Sequence, residues 1–115
     1  MYREKEIPNL GTLKFLGNLG AVAMFEDYVG ESYLERVLVV GKKARIGDIV
    51  KLIFFSYKVA CKKLELPIKF TMEDFEDNVG TSLAELSSEL FADINKELGI
   101  GDETPQPQKK MKASK

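Results

Sequence analysis

The strongest pattern in the chain is a run of apolar residues at helical spacing over about 47–65. Ile49, Leu52, Ile53, Tyr57, Ala60 and Leu64 trace one face, and Val50, Phe54 and Cys61 widen it. Lys51, Lys58, Lys62 and Lys63 hold the opposite side. Asp48 stands where an acid favours a helix start, three of the lysines stand where cations favour the end, and Pro67 predicts the stop. This segment reads as the core helix.

A second stripe, Leu83, Leu86, Leu90, Ile94 and Leu98 with Phe91 beside it, predicts a closing helix. Ser82, with Glu85 three residues on, has capping spacing, and Gly99 and Gly101 end the run. An earlier helix is predicted over Leu19 to Val29. Asn18 is its cap, Gly30 its left-handed stop, and Val22, Phe25 (or Glu26) and Val29 fall at helical spacing. Thr71, followed by Glu73 and Asp74, starts a brief helix to about Asn78, broken by Gly80. Ser32-Tyr33-Leu34-Glu35 has capping-box spacing, so a helix from Tyr33 to about Val39 competes with a strand over the β-branched Val37-Leu38-Val39-Val40. Near the start, Leu13 and Phe15 alternate around Lys14 as in a short strand.

These elements add up to a mainly α, small helical domain of four to five helices over 1–101, with a short N-terminal strand or hairpin. Residues 102–115 hold one large apolar residue, Met111, and read as a disordered basic tail. The chain has 115 residues, 44% hydrophobic and 30% charged, which suits one domain. Its formal charge of −1 hides polarity: residues 1–63 carry +4, residues 64–103 carry −9, and the last twelve carry +4. Such asymmetry speaks about partners rather than fold.

Absences narrow the chemistry. There is no histidine, the commonest general base near neutral pH and the commonest metal ligand. The single cysteine, Cys61, excludes an internal disulfide and fits a reducing compartment. With no His to activate it, Cys61 reads as a packing residue, and Tyr28, Tyr33 and Tyr57 as half-buried packing residues. The charged start has no apolar stretch behind it, so no secretory signal is expected, and no run reaches the length of a membrane span.

Candidate motifs each have a plainer reading. Glu73, Asp74, Glu76 and Asp77 lack calcium-loop spacing and suit a solvated capping face. Gly17-Asn18-Leu19-Gly20 lacks the remainder of either phosphate-loop pattern. Lys42-Lys43-Ala44-Arg45 is too small a patch for nucleic acid. The expectation is therefore a cytoplasmic interaction protein with no catalytic residue, cofactor or metal, binding protein rather than nucleic acid or membrane.

The order of parts resembles the tail assembly chaperones of long-tailed bacteriophages and prophages. The residues that carry the likeness are Phe25-Glu26-Asp27-Tyr28-Val29-Gly30-Glu31-Ser32 and the Leu52-Ile53-Phe54-Phe55 centre of a long helix with a basic end. The acidic segment Phe70 to Asp77 and a final amphipathic helix complete it. The beginning departs, because relatives often open with a clearer strand pair than Ile7-Pro8-Asn9-Leu10-Gly11 permits. The resemblance implies a non-structural factor that binds the tape-measure protein, keeps its apolar helices in solution and recruits tail-tube subunits. It also admits a weak homo-oligomer.

Such a role asks for apolar surface, and Phe55, Tyr57, Leu86, Leu90 and Phe91 are the candidate contact residues, with core packing as their plain alternative. The competing functions are a generic protein-binding adaptor or regulator of a bacterial or mobile-element system, and a small carboxylate enzyme. The enzyme would join Glu26, Asp27, Glu73 and Asp74 in one pocket.

Overall fold

The chain opens on a hairpin. Strands β1 (Arg3–Ile7) and β2 (Gly11–Phe15) pair antiparallel, with Arg3 opposite Phe15 and Ile7 opposite Gly11. The connection is a tight turn closed by the Leu10 N–H donating to the Ile7 carbonyl at 3.0 Å. Pro8 and Asn9 fill its two central positions, and Asn9 has φ of +68°. Pro first and Asn second is the pairing a type II turn favours, because the second position needs a positive φ. The stretch that argued against a clear strand pair is therefore the turn that makes one. Ile7, Leu13 and Phe15 point into the core, while Glu4, Glu6 and Lys14 face outward in the period-two alternation of a half-buried sheet.

The computed structural model describes residues 2–32 and 45–99. Four α-helices follow the hairpin among these residues: α1 (Leu19–Val29), α2 (Ile46–Leu64), α3 (Met72–Asn78) and α4 (Leu83–Glu97). The helix-or-strand question over 33–40, most of the basic patch at 42–45 and the tail over 102–115 lie outside the described residues. No helix among the described residues is long and apolar enough to cross a membrane.

Local chemistry sets the helix ends. The Asn18 side chain accepts from the Ala21 N–H at 3.1 Å, and Gly30 ends α1 in the left-handed region. At α3 the box is complete: Thr71 Oγ1 accepts from Asp74 N–H, and Asp74 Oδ2 accepts from Thr71 N–H, both at 3.1 Å. One expected end differs. Ser82 makes no side-chain cap, because a single 3-10 turn over Gly80–Ser82 leads directly into α4 and gives Ser82 near-helical angles. Helix α2 stops before Pro67, at Glu65, which takes φ of +59° and donates its N–H to the carbonyls of Cys61 and Lys62. A proline disfavours the helical region for the residue before it, here Leu66, so the reversal must come earlier and falls on a non-glycine residue.

Helix α2 is the axle of the fold and packs against α1, β2, α3 and α4. Every residue from Leu52 to Tyr57 is buried, so the helix is enclosed around most of its circumference rather than on one stripe. The Leu16 N–H donates to the Ser56 carbonyl at 3.0 Å, tying the end of the hairpin to this buried stretch. Around α2 the rings of Phe15, Phe54, Tyr57, Phe70 and Phe75 form one aromatic cluster, with centroids 4.8–6.3 Å apart. Helix α4 closes the other side with Leu86, Leu90 and Ile94, and Arg3 ties the hairpin to it through a two-pronged ion pair with Asp93. A Cβ on Gly17 would stand 3.0 Å from the Leu90 carbonyl oxygen, so any larger residue would push the β2–α1 link and α4 apart by a few tenths of an ångström.

Candidate protein-binding surface

Burial reassigns most of the residues expected to make contacts. Leu86 and Leu90 are 0% and 1% exposed, Tyr57 is 4% and Phe55 is 5%. Phe91 alone is partly buried, packed against the core. The structure makes four of the five core residues, for one physical reason: the apolar arc of α2 is too wide for a single neighbour, so α1, β2, α3 and α4 all cover it. Leu64, expected on the inward face, is instead partly exposed, and Tyr28 is an exposed ring that leans on Phe55 with centroids 5.5 Å apart. Cys61 is buried as expected, its Sγ 3.9 Å from the Pro67 carbonyl oxygen.

The acidic residues do not meet in one pocket. Glu26 and Asp27 border an open hollow with Gly30, Glu31 and Ser32, without Glu73 or Asp74. Glu73 and Asp74 lie in the first turn of α3, where Asp74 completes the cap. Among the described residues no group of three or more His, Cys, Asp or Glu is placed to hold a metal ion.

Exposed apolar surface gathers elsewhere. Among the described residues seven large hydrophobics are exposed, and three of them, Leu64, Leu66 and Ile68 at 37%, 47% and 46%, fall within five residues of sequence. This loop forms because Glu65 turns the chain back at the end of α2 and Pro67 keeps it extended towards Phe70. It overhangs a pocket of about 180 Å³ between β2 and the last turns of α2. Leu10, Leu13, Leu66, Pro67 and Phe70 supply its apolar lining, with Cys61 and Tyr57 on the α2 side.

Tyr57 and Phe70 stack at 4.8 Å with their planes 14° apart, and the Lys69 backbone N–H donates to the Tyr57 hydroxyl oxygen at 3.5 Å. Burial, helped by a hydrogen bond with Cys61, pushes the Tyr57 hydroxyl up to about 12, against a smaller opposing pull from the Lys69 N–H. It is thus a neutral, fixed group at neutral pH and serves as wall rather than proton carrier.

Lysines frame the mouth. Lys14 and Lys69 border the pocket, and Lys62 and Lys63 occupy the last turn of α2 beside Leu64. Lys14 is paired with Glu4 at 2.9 Å, whereas Lys62, Lys63 and Lys69 make no ion pair with any described residue. The one acid between Tyr57 and Phe70 is Glu65. The result is an apolar, concave surface bordered by Lys69 and by the Lys14–Glu4 pair. The run Leu64-Glu65-Leu66-Pro67-Ile68 carries the sequence signal for this surface, since its apolar residues sit just beyond a helix stop with no periodicity to bury them. Compared with known proteins, the chain matches no family model, no curated protein and no solved structure.

Proposed function

We propose that this chain is a non-catalytic assembly factor that works by holding a partner protein, as a tail assembly chaperone does. In this reading it acts in the bacterial cytoplasm, binds the amphipathic helices of a tape-measure protein and recruits tail-tube subunits around them. The observation that carries the protein-binding part is the concentration of exposed Leu64, Leu66 and Ile68 in one short loop, with Leu66 lining a side-chain-sized pocket. Apolar residues scattered singly over a surface need no explanation, but a cluster rimmed by charge marks a place where another molecule sits. Covering each of these half-exposed side chains would contribute about 1 kcal/mol, and a partner that inserts one anchor into the pocket adds to that. The aromatic cluster behind the loop gives it a firm backing, which limits the ordering that binding must cost.

The resemblance in segment order supplies the more specific part, the tape-measure partner. A generic adaptor would use the same surface for an unrelated protein, so the partner decides between the two. If the reading holds, the neighbouring genes encode a very long helical protein and a tube protein. Co-expression with that long helical protein then raises its soluble yield. An unchanged yield would overturn the tail-assembly assignment.

A further inference from the structure

We draw no further inference here: the strongest candidate, the apolar pocket between β2 and the Leu64–Ile68 loop, belongs to the surface already described, and nothing in the structure shows what covers it.

Discussion

At the scale of single residues, Phe55 and Leu90 separate core from contact surface. Both are buried, so their first effect is on stability. Phe55→Ala should cost about 3–5 kcal/mol and Leu90→Ala about 2–5 kcal/mol, read by urea denaturation. A loss of partner binding in either variant with unchanged stability would return them to the surface. Glu65 tests the α2 stop. A non-glycine residue in the left-handed region carries strain, so Glu65→Gly should raise stability by about 0.5–1 kcal/mol. Tyr57 gives a pH signature. Its folded-state hydroxyl titrates near 12, above the ordinary value near 10, so its contribution is complete below about pH 10. As pH rises from 10 to 12 the unfolded chain releases this proton first, and stability falls. A late phenolate absorbance step near pH 12, lost in Tyr57→Phe, would confirm it.

At the scale of elements, the sequence was most legible where chemistry is local. Asn18 and Gly30 bound α1 as their types demand, and Thr71 with Asp74 caps α3. Thr71→Ala should therefore cost about 1 kcal/mol and speed amide exchange across α3 first, since a seven-residue helix has little else to hold its start. Two elements were less legible. The hairpin is short and half-polar, so periodicity gives it little weight, although Pro8-Asn9 before Gly11 holds the turn signal. Helix α2 was placed correctly but read as one-sided, because periodicity reports where apolar residues lie and not how many neighbours will cover them. For Phe55, Tyr57, Leu86 and Leu90, contact candidates with core packing as their plain alternative, burial decides for the core. The exposed loop was missed for the converse reason: apolar residues past a helix stop carry no period.

At the scale of the molecule, charge and apolar surface are arranged against each other. The sequence from residue 64 to 103 is strongly acidic, and the lysines that border the pocket are Lys69 and Lys14, the latter paired with Glu4. The most direct test is the soluble yield of the tape-measure protein that the proposal assigns as partner, co-expressed with the native chain and with the double variant Leu66→Asp, Ile68→Asp. The account predicts a higher yield with the native chain. It also predicts loss of that gain with the double variant, whose exposed substitutions should leave the melting temperature within a few degrees. An equal gain with the folded variant would contradict the account, as would no gain with the native chain.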